Sequence, residues 1–259
     1  MTPIVRSLFV AWQEPESRRI FPVARLSRRR SGEYELRYIG AVWAAREHGF
    51  LGLPGFEELE AIHVTPGLPE LFTQRPPPRR RGPSAGPSAP AGEQLDAAPI
   101  TLFVRRKEGG TPERLEAFSP PLRAPDGRRW GVFDARGVGR SPGSAEVAAV
   151  LVAGERLQLR PEPDNPYNPH ALRILRVDDS HVGYAPDYFA NELAAVGGRA
   201  EQIELLLGEA QRVTFAPAPV VYRVACRYSC PAELGRVLFT SDSYRPVSPR
   251  AQASSSSAV

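Results

Sequence analysis

Asn165, Tyr167, Asn168 and His170 fall within one stretch, PEPDNPYNPHA (Pro161 to Ala171), spaced by prolines at 161, 163, 166 and 169. Each proline holds its own φ near −65° and disfavours helix at the residue before it, so the stretch is expected to be a stiff loop with its side chains at fixed positions. The residue types suit recognition rather than bond breaking. An aromatic face stacks on any nucleobase for about 1–3 kcal/mol. Primary amides both donate and accept, so Asn165 and Asn168 could read a ribose hydroxyl or a phosphate oxygen. Tyr184 could supply a second ring, and Arg140 or Arg160 could hold a phosphate. A plainer reading stands beside this one: Asn165 forms an Asx-turn, Tyr167 caps an apolar core, and the loop only locks itself. Exposure or burial of Tyr167 separates the two.

Other chemistry is thin. His48, His63, His170 and His181 sit on different predicted elements without metal-ligand spacing, and Cys226 and Cys230 form a single C-x3-C with no second pair. Asp178 and Asp179 read as turn residues. Neither a glycine-rich phosphate loop with a partner lysine nor a catalytic Asp/Asn pattern is present, Lys107 being the one lysine of the chain. No catalytic residue, cofactor or metal is expected.

The elements that must position the loop are short strands. SLFVAW (Ser7 to Trp12), IFPVARL (Ile20 to Leu26) and YELRYI (Tyr34 to Ile39) read as strands, and AVWAAREHGF as a helix closed by Gly49. Leu51 to Arg75 reads as a loop-rich segment. Pro76 to Ala98 is Pro, Gly, Ser and Ala with almost no large apolar residue, so burial cannot offset its ordering entropy and a disordered linker is expected. Ile100 to Val104 and, more weakly, Leu115 to Phe118 read as strands. GVFDARGV, VAAVLVAGERLQLRP, ALRILRV and HVGYA follow as further strands. A helix comes next, from about Pro186 to Val196, with Asp187 at its N-terminus. Strands near Ile203 to Leu207, Val213 to Phe215 and Val220 to Tyr228 complete the pattern of a small β-barrel.

With 42% apolar residues the chain can build real cores, and its net charge of +4 with a pI near 9.3 permits an acidic partner without demanding one. The arginine excess, alongside 28 prolines, reads as coding bias. The runs Arg28 to Arg30 and Arg79 to Arg81 read as solvated charge, the second able to add sequence-independent attraction to a nucleic acid. No leader pattern and no apolar run long enough to span a membrane is seen, so a cytoplasmic, bacterial protein is expected.

EPDNPYNPHAL followed by HVGYAPDYFANELA is similar to the HIRAN domain, whose hallmark is an Asn-Pro-Tyr turn and a downstream Gly-Tyr-hydrophobic-Pro strand end. The resemblance spans about Trp130 to Tyr228. It implies an OB-like or SH3-like barrel that binds single-stranded DNA, in the best understood members at a free 3′ end. It implies that Tyr167 lies against the terminal nucleotide, that Asn168 contacts its hydroxyl, and that the first strand contributes an arginine with an aromatic. This chain departs twice: Asn168 stands where aspartate is common, and Gly137-Val138-Gly139-Arg140 carries no aromatic. Between Arg128 and Cys230, 12 arginines meet 12 acidic residues, so a short, pocket-like footprint is expected. More loosely, SLFVAW, IFPVARL, YELRYI, REHGFLGLPGF and LPELFTQR (about Leu8 to Arg75) resemble the N-terminal small subdomain of the HipA family of toxin kinases. That implies a supporting or partner-binding role.

The expected chain is therefore mainly β with some α. It comprises a small α+β module over residues 1–75, a Pro-rich linker over 76–98, a connecting segment over 99–127, a HIRAN-like barrel with one main helix over 128–240, and a disordered tail over 241–259. The expected function is binding of single-stranded DNA ends or damaged DNA, in repair or defence, with DNA favoured over RNA and a possible protein partner on the first module. The alternative is a non-catalytic protein-interaction adaptor with a vestigial pocket.

Overall fold

The run SLFVAWQ is apolar at nearly every position, the pattern of a strand covered on both faces. In the computed structural model, which describes residues 7–72, 100–104, 113–140, 143–213 and 221–247, this strand (β1, Ser7–Gln13) lies inside an antiparallel sheet. Its partners are β2 (Ile20–Arg28), β3 (Tyr34–Tyr38), β4 (Ile62–Thr65), β5 (Ile100–Val104) and β6 (Glu113–Phe118), in the order β4-β3-β2-β1-β6-β5. Val10 and Trp12 point to one face. There Leu36, Tyr38, Phe50, Leu53 and the helix α1 (Val42–Glu47) close a core. Gly49 ends that helix at φ 91°, as a glycine after a helix does.

Phe9 and Ala11 point the other way, into the core of a second sheet. This sheet holds β7 (Leu122–Arg123), β8 (Arg129–Asp134), β9 (Arg156–Pro161), β10 (Leu172–Leu175), β11 (His181–Tyr184), β12 (Glu204–Val213) and β13 (Val221–Cys230), in the order β11-β10-β9-β12-β13-β8-β7. Just beyond β8, Arg136 and Tyr184 exchange two backbone hydrogen bonds of 2.8 and 2.9 Å, which bring β8 round to β11 and close the barrel. A Cβ on Gly183 would stand 2.5 Å from the Arg136 carbonyl oxygen, so the closure needs glycine there. Helices α2 (Ser144–Val150), α3 (Asp187–Ala195) and α4 (Ala232–Val237) complete a mainly β architecture of two antiparallel sheets.

The two sheets share one core. Tyr188 of α3 stacks on Phe118 of β6 with ring centroids 4.0 Å apart, and Phe9 packs against Phe239 and Tyr244 from beyond the barrel. Aromatic pairs of this kind add about 0.5–1.5 kcal/mol beyond their area. A buried polar contact crosses the same seam: Glu116, 3% exposed, accepts the Tyr188 hydroxyl at 2.7 Å and pairs with Arg136.

This arrangement differs from the sequence reading in several places. Leu207 and Val213, read as belonging to separate strands, lie on the single strand β12, which pairs along its length with β13. Ile100–Val104 and Glu113–Phe118, read as strands of a connector, belong to the first sheet as β5 and β6, with β6 paired to β1 and β5 to β6. Ser241 to Val247, read as the start of a disordered tail, returns to the first sheet: Gly40 and Ala41 donate to Arg245 and Ser243 at 2.9 Å, and Val247 donates to Tyr38 at 2.8 Å. The valine-rich start of VAAVLVAGERLQLRP is the helix α2, which follows Gly143 in a left-handed turn (φ 78°) and buries Ser144 and Ala148 one turn apart. Leu51 to Phe72, read as loop, includes the edge strand β4. The linker at 76–98, the arginines at 79–81, Lys107 and the tail at 248–259 lie outside the described residues.

Cys226 and Cys230 sit on the inward face of β13, where burial pushes both thiols up, that of Cys230 to about 11. They are packing residues. Among the described residues no three metal-ligating side chains gather, and no helix is long and apolar enough to cross a membrane.

Candidate functional site

The proline-spaced loop is built around Asn165. Its Oδ1 accepts the N–H groups of Tyr167 (3.0 Å) and Asn168 (3.2 Å), an Asx-turn, while its Nδ2 donates to Glu162 at 2.7 Å. Asn168, 8% exposed, donates through Nδ2 to Asp187 at 3.0 Å and accepts the His170 N–H at 2.9 Å. Both amides are thus spent on the loop, and Asn168 ties it to the N-terminus of α3. Neither is presented to a ligand as the sequence reading had them. An amide fits position 168 because an aspartate could donate nothing to Asp187 and would set two carboxylates face to face.

Tyr167 is 81% exposed. The Asx-turn of the plainer reading is present, but its capping tyrosine is not: the ring stands in solvent on a loop whose two asparagine amides are engaged.

Tyr184 joins the same site. Its hydroxyl meets Glu162, the acid that also holds Asn165, and burial, followed by this contact, keeps the phenol above its ordinary range. Register places Tyr184 directly opposite Arg173 of β10, which is in turn opposite Arg160 of β9, and on its other side Tyr184 meets Arg136. An aromatic flanked by arginines across four neighbouring segments results. Within this row Arg160 is turned away to Asp179 (2.5 Å) in the turn after β10. Arg140 ends the glycine turn that follows Arg136, and its charge falls on Arg18 and Arg114 of the first sheet rather than on the loop.

The structure therefore brings together Asn165, Tyr167, Asn168 and Tyr184, and separates Arg140 and Arg160 from them. It adds Glu162, Arg173, Asp187 and Arg136. Arg173 was legible as the outward position of ALRILRV. Arg136 was not, because its neighbour Glu116 comes from a distant strand. Burial, with Arg114 nearby, pushes the Arg136 guanidinium down to about 10.

His181 packs edge-on against Tyr184 with centroids 5.0 Å apart, and burial, then Arg173, holds its imidazole below the ordinary 6.5. Because the unfolded chain takes up this proton first, stability is lost as pH falls from the ordinary pKa toward the folded one. His181→Gln should therefore show a smaller drop in urea midpoint than wild type between about pH 7 and about pH 5.

The fold is a closed antiparallel barrel whose surface carries an exposed tyrosine, with Tyr184 and Arg173 paired across neighbouring strands close by. Residues 130–232 match the family model of the HIRAN domain. Among solved structures, the crystal structure of the HIRAN domain of human HLTF is similar at 17% identity and a TM-score of 0.31, over 45% of this chain and 91% of that one. No curated protein matches the chain. The resemblance of Leu8 to Arg75 to the HipA subdomain finds no support in these comparisons.

Proposed function

We propose that the barrel binds single-stranded nucleic acid near a free end, DNA rather than RNA, and that the chain is a non-catalytic cytoplasmic protein of DNA repair or defence. The observation that carries this is the Tyr167 ring, 81% exposed on a loop held rigid by its own hydrogen bonds. Such a ring loses little freedom on binding and stacks on any unpaired base. Tyr184 offers a second wall and Arg173 the adjacent positive charge. The match of residues 130–232 to the HIRAN domain supports the reading.

Fluorescence anisotropy with free-ended and end-blocked single strands tests it. Tyr167→Ala should weaken binding by about 5–150-fold, the equivalent of one lost stack. Because Asn168 is buried against Asp187, discrimination between free and blocked ends should be below about tenfold, less than one charge-assisted hydrogen bond provides. Equal binding by wild type and Tyr167→Ala would sink the assignment. Absence of any shift at low salt, with capture of a defined protein partner, would favour the adaptor instead.

A further inference from the structure

The barrel is electrically balanced, with 12 arginines and 12 acids between Arg128 and Cys230, yet positive charge gathers where it meets the first sheet. Gln13 of β1 lies opposite Arg114 of β6, and Gln13 Nε2 donates to the Arg18 carbonyl at 2.9 Å, which sets Arg18 beside Arg114. Arg18 is held there at φ 63°, a left-handed conformation that arginine seldom adopts, by two backbone hydrogen bonds across the turn between β1 and β2. Two residues along β6 from Arg114, on the same face, Glu116 receives Arg136 from the barrel. The glycine turn from Gly137 leads on to Arg140, and Arg223 of β13 stands close by through Asp134 at 2.8 Å.

The acids at this seam are already engaged. Glu116 is taken by Arg136 and Tyr188, Asp134 by Arg223, and Glu14 by the N–H groups of Glu16 and Ser17. Among the described residues no carboxylate forms an ion pair with Arg18, Arg114 or Arg140. Burial lowers the guanidinium pKa of Arg18 first, with Arg140 and Arg114 adding to it. Burial also dominates at Arg114, where Arg223 and Arg140 add to the lowering and Asp134 opposes it. Like charges held this close are relieved by a bound anion.

We propose that the seam is a phosphate-binding site, in which Arg18, Arg114 and Arg140 take the backbone phosphates of the strand whose end lies at Tyr167 and Tyr184. This rests on the function proposed above. The route is short: the Tyr184 ring lies over Gly137, and three residues further the same turn ends at Arg140. The first sheet thereby supplies the charge that the neutral barrel lacks, which gives its rigid docking a purpose.

The test is the salt dependence of oligonucleotide binding by the full chain. Each phosphate contact contributes about 0.7 to the slope of log K against log salt for a single strand. Arg18→Gln/Arg140→Gln, which alters two exposed side chains, should lower that slope by about 1.4 with the urea midpoint unchanged. Arg114→Gln should lower it by about 0.7, while Tyr167→Ala weakens binding at every salt concentration with the slope intact. An unchanged slope in the folded double variant overturns the seam site and leaves the tyrosine site standing. If wild type binds no oligonucleotide, the function proposed above falls, and calorimetry with pyrophosphate judges the seam alone. Heat of binding lost in the double variant supports it, and no heat in wild type overturns it.

Discussion

Glu116→Leu alone is expected to lower the unfolding free energy by about 3–5 kcal/mol, because it leaves the buried Arg136 guanidinium without an anion. It also removes the acceptor of the Tyr188 hydroxyl, which sits 2.7 Å from Glu116. Replacing the whole group with apolar side chains, Glu116→Leu with Arg136→Met and Tyr188→Phe, should recover most of that loss, since no buried polar atom is then stranded. Urea unfolding followed by circular dichroism and by tryptophan fluorescence reads both effects. Wild type should show one coincident transition, because Phe118, Tyr188, Phe239 and Tyr244 join the two sheets in a single core. Two separated transitions would mean that the sheets are independent modules, and the large penalty for Glu116→Leu would lose its basis.

Gly183→Ala is expected to cost about 3 kcal/mol and to weaken nucleic-acid binding with it. The added methyl would meet the Arg136 carbonyl at 2.5 Å and Val138 at 3.1 Å. The nearer obstacle is backbone, so β11 must move away, at about 1–3 kcal/mol for the overpacking and about 1 kcal/mol for each hydrogen bond lost at the closure. Tyr184 would move with the strand, which is why affinity should fall alongside stability. Gly67→Ala, where nothing lies within 4 Å, is the control and should change stability by less than about 0.5 kcal/mol. Equal midpoints for the two variants would show that barrel closure does not depend on this approach.

These two residues also show where reading a sequence stops. The glycine in HVGYA is visible as part of a motif, but the carbonyl that forbids a side chain there belongs to a residue 47 positions earlier, and nothing local announces it. Glu116 reads as one polar position in a weak strand. Only its placement under Tyr188 and Arg136 makes it a buried ion-pair member. The two candidate phosphate arginines of the barrel stand away from the loop for the same reason: Arg160 is drawn off by Asp179, and Arg140 is aimed at the first sheet, and both outcomes depend on partners distant in the chain.

Local chemistry by itself determined most of the strands, the helix α3 and the stiff Asx-turned loop that lifts Tyr167, because alternation, proline φ and side-chain-to-backbone hydrogen bonds act over a few residues. Tertiary structure alone decided that β5, β6 and residues 241–247 belong with the first sheet, that the two sheets share a core, and which arginines meet. Those choices are made by backbone pairing and burial between segments far apart in sequence, where several partners are equally compatible with the local pattern and only the packed whole selects one.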